Sequence, residues 1–472
     1  MPHNLEVIIL AAGLGTRMKS ATIKVLHRAA GRPIIDYVLD LAADVSERPP
    51  VVVVGHQREA VQKAIGERAR FAVQEQQLGT GHAVMQAARF LEHEDMAGRN
   101  VLILSGDVPL TRPETLRGLA AQHDRERNAL TLLTMKLEDP GMYGRIVRDR
   151  DGAVVRIAEA KDTSAGEKAI DEVNAGIYLF NAADLFANLR NLSTNNAQGE
   201  YYLTDLIAML RDSGKRVGAL VAADPIEAIG VNSRGELAVV EAEIQRRVVQ
   251  RLMTDGVTFR NPNTVVIDST VSIGADTVVY PFVTLEGNTR IGEGCVIEPG
   301  VHLVNTTVGD DVHVKSGTVA EEATIGDEAS VGPYAHLRPG TNLGKHVKVG
   351  NFVETKKAVF GEGSKASHLS YIGDAEVGAN VNIGAGTITC NYDGVRKHKT
   401  VLEDGVFIGS DTQLVAPVRV GHGAYVGAGS TITKDVPPDA LALSRVPQRN
   451  VEGWATKRRA EMAKKKEDGQ AK

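Results

Sequence analysis

The chain carries two hydrophobic rhythms, one in each half. From Leu5 to about Ala223, short apolar runs such as residues 51–54, 101–104 and 132–135 alternate with stretches of helical spacing. Such alternation predicts an α/β domain with a mostly parallel sheet. In the second half, an aliphatic residue followed by Gly recurs at Ile291-Gly292, Val308-Gly309, Ile325-Gly326, Leu343-Gly344, Ile372-Gly373, Ile383-Gly384, Ile408-Gly409, Val420-Gly421 and Val426-Gly427. The period is too short for a helix pair or a propeller blade and predicts a parallel β-helix of hexapeptide repeats. The aliphatic side chain points inward, and Thr277, Cys295, Val312, Ala329, Thr412 and Ser430 fill the next inward position, which calls for a small residue. Steps from 273 to 291, from 325 to 343 and from 408 to 426 are multiples of six, so three hexads close one triangular coil. Neighbouring coils then pair at roughly 4.8 Å in a quasi-one-dimensional solenoid. Between the halves, residues 235–255 put Leu237, Val240, Ile244, Val248 and Leu252 on one stripe and end at Gly256, which predicts a single helix. The expected organisation is a first domain over 1–234, a linker helix over 235–256, the solenoid over 257–446 and a tail over 447–472, helical from Gly453 onward.

Composition narrows the field. At 472 residues the chain is too long for one core. A net charge of −5 argues against a general nucleic-acid or membrane surface, although small anionic ligands need only a few local cations. Abundant Gly, 48 residues, suits a tightly turning solenoid. Cys295 and Cys390 lack metal-ligand spacing and fit a reducing cytoplasm. No leader pattern and no membrane-length apolar run stands in the sequence, so a soluble cytoplasmic protein is expected.

The first candidate chemistry follows a strand at residues 6–10, which runs into Ala11-Ala12-Gly13-Leu14-Gly15-Thr16-Arg17-Met18, with Lys24 soon after. The glycines let the backbone approach an anion, successive N–H groups can cradle it, and Arg17 and Lys24 supply positive charge. Taken alone, such a segment is more often a plain tight turn. The spacing is neither that of a Walker ATPase nor that of a Rossmann dehydrogenase. Asp107 follows an apolar run at the carboxyl edge where open α/β sheets place ligands, either as a metal ligand or as the opener of a turn before Pro109.

The order L-x-x-G-x-G-T-R-M followed by Lys resembles the sugar-1-phosphate nucleotidyltransferases. Gln74, Leu78-Gly79-Thr80-Gly81-His82, Ser105-Gly106-Asp107-Val108-Pro109-Leu110, Tyr143-Gly144-Arg145, Glu159-Ala160-Lys161-Asp162, Asn174-Ala175-Gly176 and Val231-Asn232 stand in that family's order. The resemblance implies a UTP and UDP-sugar site made by Leu10, Ala11, Ala12, Gly13, Lys24, Gln74, Gly79, Thr80, Ser105, Gly106, Asp107, Gly144, Glu159, Asn174 and Asn232. Within it Gln74, Gly79 and Thr80 would meet uracil, and Gly144, Glu159 and Asn174 the sugar. Arg17 and Lys24 would be catalytic cations, and Asp107 and Asn232 would hold Mg²⁺. The family usually has Pro before the Lys, where this chain has Ile23.

The hexad rhythm breaks around residues 356–371 and 390–400, and interruptions of a solenoid predict loops or distortions. The first holds His368, and the second Asn391-Tyr392-Asp393-Gly394 with Lys397 after it. Alone, His368 reads as a surface histidine, and Arg338, Lys356 and Arg445 as solvated charge. Burial without a partner would keep His368 neutral. Arg338-Pro339-Gly340-Thr341, Glu354-Thr355-Lys356-Lys357, residues 367–374 and residues 391–394 nevertheless resemble, in order and spacing, the acetyltransferase half of a bifunctional family. That family joins an N-acetylglucosamine-1-phosphate uridylyltransferase to a glucosamine-1-phosphate acetyltransferase, and the resemblance covers nearly the whole chain.

It implies a Rossmann-like α/β nucleotidyltransferase domain followed by a left-handed parallel β-helix, assembled as a homotrimer. It implies His368 as general base, Arg338, Lys356, Tyr371, Asn382 and Asn391 on glucosamine 1-phosphate, and Ala385, Asn391, Tyr392, Ser410, Ala428 and Arg445 on acetyl-CoA. The implied product is UDP-N-acetylglucosamine, a precursor for peptidoglycan and lipopolysaccharide. A second reading keeps only the nucleotidyltransferase and makes the solenoid an oligomerising or effector-binding module, since fold alone does not separate the two.

Overall fold

The computed structural model describes residues 5–91, 94 and 96–470. They form two compact units, one comprising residues up to Leu252 with Val266–Thr270, the other Met253–Val265 with the chain from Val271 onward.

In the first unit the strands run, from one edge of the sheet, Val217–Val221, Leu130–Lys136, Glu172–Asn181, Asn100–Ser105, Leu5–Leu10, Val51–Val54 and Arg70–Val73. All are parallel except Glu172–Asn181, which is antiparallel to both neighbours. Val7 and Ile9 pack into one core layer with Ile35, Val38 and Leu39, while Ile8 packs into another with Val84, Ala87 and Leu91. Burial on both faces is why these strands read as unbroken apolar runs. Leu10 lies opposite Ser105, so the glycine turn and the Asp107 loop leave the sheet side by side.

The predicted helix spans Arg234–Thr254 and buries Val240, Ile244, Val248 and Leu252. Its one buried carboxylate, Glu243, accepts hydrogen bonds from Arg246 Nε at 2.7 Å and Arg247 Nε at 2.7 Å. Arg246 first, and Arg247 against the opposing effect of burial, hold this carboxyl down at about 2. A depressed carboxyl stabilises the fold above its unfolded value, and that contribution is lost as pH falls toward 2. Glu243→Gln is therefore expected to lower stability by about 1–3 kcal/mol at pH 7 and by clearly less at pH 3. Urea titrations of wild type and variant at both pH values check this, and an equal loss at both would mean that the charge is not the cause.

The second unit is the expected solenoid. Ser272 pairs with Arg290, Arg290 with Thr307 and Thr307 with Thr324, all parallel, so successive coils are offset by 17 or 18 residues. Ile273, Ile291, Val308, Ile325 and Leu343 stack inside one wall, and Val279, Ile297, Val314 and Val331 inside another. The small positions Thr277, Cys295, Val312, Ala329, Thr412 and Ser430 are all buried. The hydroxyls of Thr277, Thr412 and Ser430 bond backbone groups, as when Thr277 Oγ1 donates to Gly292 O and accepts from Cys295 N.

One of the two expected interruptions is real. Glu376 pairs with Val401, and the intervening coil carries the extra loop at 390–400. Residues 356–371, by contrast, form a regular coil in which Glu354 pairs with Tyr371 and Lys365 with Asn382. The apparent break there comes from Thr355 taking an inward position where the pattern expects an aliphatic residue, fully buried and hydrogen-bonded to Thr341 at 2.9 Å. The tail forms a helix, Trp454–Gln470, exposed over residues 454–466. No helix among the described residues is long and apolar enough to cross a membrane.

Candidate functional sites

The first unit has a cleft of about 490 Å³ at the carboxyl ends of its strands, lined by Leu10, Ala11, Ala12, Gly13, Arg17, Lys24, Gln74, Gly79, Thr80, Ser105, Asp107 and Asn232. Its floor is the turn at 11–15, where Gly15 adopts φ +61° and a Cβ would lie 2.7 Å from Lys24 Cβ. That close approach seats Lys24 at the mouth of the turn. Its ammonium donates to Asp107 Oδ2 and, at 3.0 Å, to Asn232 Oδ1. Asn232 is held in turn by the start of the long helix. Its N–H donates to Glu236 Oε2 at 2.9 Å, Ser233 Oγ donates to the same oxygen, and Glu236 N donates to Ser233 Oγ, a close relative of the capping box.

On the opposite lip, Gln74 Nε2 donates to Gly79 O at 3.1 Å, and Thr80 Oγ1 accepts from Leu203 N. Gly79, at φ +102°, leaves no room for a Cβ beside Tyr201 O. Gly106 backs the cleft without lining it, because its N–H donates to Leu10 O. Gly144, Glu159 and Asn174 gather outside the cleft lining: Asn174 N donates to Gly144 O, and a Cβ on Gly144 would lie 3.4 Å from Glu159 Oε2. Burial pushes the Glu159 carboxyl above its usual range, partly offset by Thr204 Oγ1 donating at 3.0 Å. Leu14, Thr16, Val25, Gln77, Ala83 and Glu200 also line the cleft. Of these, Gln77 and Glu200 stood in no motif that chemistry would single out.

In the solenoid the expected residues fall into two groups. His368, Ala385, Ser410 and Ala428 each precede a residue with left-handed backbone, namely Leu369, Gly386, Asp411 and Gly429, and so stand in one column along a corner. At its far end Arg445 NH1 donates to Ala428 O at 2.5 Å. His368 is exposed, not buried, and its Nδ1 is paired with Asn351 Oδ1 at 2.5 Å.

The second group is a cluster of charge. Arg338 NH1 donates to Glu354 at 2.8 Å, Asn391 Nδ2 donates to Asp374 at 2.6 Å, and Lys397 stands 4.0 Å from the same carboxylate. The Lys397 ammonium beside Lys356, with some help from Arg338, holds Lys356 below its ordinary range. Converging cations of this kind make an anion site. Tyr371 Oη and Asn391 Nδ2 face each other across Gly373, where a Cβ would meet both. Asn382 lies on the wall that also carries Lys365 and Phe407, and Tyr392 is exposed in the extra loop with its hydroxyl on Gly394 O. Asn351 and Lys397 are the two neighbours that sequence reasoning left without a role.

Comparison with known proteins bears on both halves. A nucleotidyl transferase family profile matches residues 6–225, a GMPPB C-terminal domain profile residues 261–353, and a bacterial transferase hexapeptide profile residues 399–434. The bifunctional protein GlmU of Syntrophotalea carbinolica is 55% identical over 96% of this chain and 97% of its own length. Those of Pelobacter propionicus and Caldanaerobacter subterraneus are 51% and 48% identical, each over at least 96% of this chain and 98% of their own. Identity at this level over both units at once shows that the chain belongs to the bifunctional GlmU family.

Proposed function

We propose that the cleft of the first unit binds UTP and N-acetylglucosamine 1-phosphate, and that the histidine column and cation cluster of the solenoid bind acetyl-CoA and glucosamine 1-phosphate. As a member of its family, the chain is a bifunctional enzyme of UDP-N-acetylglucosamine synthesis with uridylyltransferase and acetyltransferase activities. The observation that carries the residue assignment is the convergence of Asp107 and Asn232 on a single cationic atom, Lys24 Nζ, at a glycine turn.

Two oxygens already aimed at one positive centre fit Mg²⁺ in that place. Among the described residues no group of three His, Cys, Asp or Glu gathers for a metal. One carboxylate and one amide suit an ion that keeps phosphate oxygens and waters as its other ligands. When bound, Mg²⁺ would neutralise phosphate charge. Lys24 and Arg17 take phosphate oxygens, the turn at 11–13 lets its N–H groups reach them, and Gln74, Gly79 and Thr80 take the uracil edge. A sugar-phosphate oxygen attacks the α-phosphorus, the bond to the β-phosphate oxygen breaks, and pyrophosphate leaves. Positioning and charge stabilisation supply the rate, without a covalent intermediate.

In the solenoid, Arg338 and Lys356 hold the sugar phosphate, and Tyr371, Asn382 and Asn391 orient the sugar. Ala385, Tyr392, Ser410, Ala428 and Arg445 hold acetyl-CoA. The amine nitrogen attacks the thioester carbon, His368 Nε2 takes its proton, and the CoA thiolate departs. The reading includes a homotrimer, and a cytoplasmic setting that suits the two free thiols Cys295 and Cys390. There the product would feed peptidoglycan and lipopolysaccharide synthesis.

The test is mass-spectrometric product analysis after incubation with glucosamine 1-phosphate, acetyl-CoA, UTP and Mg²⁺. UDP-N-acetylglucosamine is expected. Untouched acetyl-CoA together with uridylylation of supplied N-acetylglucosamine 1-phosphate would make the solenoid a scaffold.

A further inference from the structure

A general base in the acetyl site must present one lone pair to the incoming amine, yet a histidine at an exposed solenoid corner has two interchangeable nitrogens and a ring free to turn. In this chain the coil below removes that freedom. Asn351 lies in register with His368 on the adjacent strand, Lys348–Asn351 against Lys365–His368. Its side-chain oxygen faces His368 Nδ1 at 2.5 Å, and its backbone oxygen accepts from Leu369 N at 3.0 Å. One residue thus grips both the imidazole and the peptide that follows it. The grip is itself supported, since the next residue, Phe352, turns the corner at φ +56° and its ring stacks on Tyr334 with centroids 5.8 Å apart.

Resting on the reading of His368 as the base, we infer that Asn351 is a positioning residue for acetyl transfer that fixes the tautomer and aim of His368. An oxygen facing Nδ1 puts the ring hydrogen there and leaves Nε2 as the open acceptor, and among the described residues Nε2 has no other partner. The amide also carries no charge. A carboxylate at the same place would favour the imidazolium, which cannot accept the proton that the reaction releases. Asn supplies orientation without that bias.

The experiment uses the full chain and three variants, Asn351→Ala, Asn351→Asp and His368→Ala, with uridylylation of supplied N-acetylglucosamine 1-phosphate as the check that each is folded. For Asn351→Ala, kcat of acetyl transfer is expected to fall about 10- to 100-fold, with KM for both substrates within about twofold. For Asn351→Asp, nearly isosteric, the acid limb of the kcat profile is expected to move to higher pH by about one unit. A merely structural role would not move that limb. Wild-type kcat in Asn351→Ala, or an unmoved limb in Asn351→Asp, with His368→Ala inactive, overturns the inference and leaves the base assignment standing. Acetyl transfer retained in His368→Ala overturns both.

Discussion

Asp107→Ala is expected to lower UDP-N-acetylglucosamine formation by at least about 10³-fold, while acetyl transfer to glucosamine 1-phosphate proceeds at the wild-type rate. Asp107 is the one carboxylate in the pair of oxygens that meets Lys24 Nζ, so its removal takes away the full negative charge of that pair. Asn232 alone is a neutral donor on a rigid capped helix start and cannot hold a divalent ion against water. The loss also leaves Lys24 with one of its two partners, Asn232 Oδ1, so the charge proposed to meet the phosphates is less firmly held in position. Asp107 O still accepts from Val231 N at 2.8 Å, a backbone bond that the substitution leaves in place, and the loop should keep its path. Coupled assays of pyrophosphate release and of free CoA on one preparation check this. Loss of both activities would show that the two units do not work independently.

The sequence and the structure agree most where one physical rule fixes the answer. Doubly buried strands read as apolar runs, and the hexad rhythm follows from one inward residue per wall of a three-walled coil, so both folds were legible. The misread segment at 356–371 shows the limit of that rule. A buried Thr looks like an interruption when only hydrophobicity is counted, yet Thr355 keeps its place because a second buried hydroxyl, on Thr341, satisfies it. Val266–Thr270 returns to the first unit through Ser269, which accepts from Tyr37 Oη at 2.9 Å, and Ile267 N, which donates to Gln245. No local pattern marks such a return, because its partners lie far away along the chain.

Among the proposed site residues, motif membership pointed to Lys24, Asp107 and Asn232, but the ion-pair geometry that joins them depends on Gly15 bringing Lys24 close, a backbone fact. Asn351 had no signal at all. Its importance comes from the coil offset that sets it beside His368, and only the paired register reveals that.

His368→Ala carries the other large effect, a fall in acetyl transfer of about 10²- to 10⁴-fold with uridylylation unchanged. The amine of glucosamine 1-phosphate must lose a proton as it bonds to the thioester carbon, and His368 Nε2 is the lone pair that the corner column presents. Its position is set by two coils, with Asn351 holding Nδ1 from one side and Ala385 beginning the run of expected acetyl-CoA residues on the other. Alanine removes the base while leaving the backbone bond from Leu369 N to Asn351 O, so the corner and the column should persist. Substrate binding should therefore be little changed, and the loss should fall on kcat and not on KM. Raising the pH should restore part of the rate in the variant, because a larger fraction of the amine is already neutral and needs no base. A variant that stays slow at every pH while binding both substrates normally would instead assign His368 to holding the tetrahedral intermediate, and would move the proton acceptor elsewhere in the site.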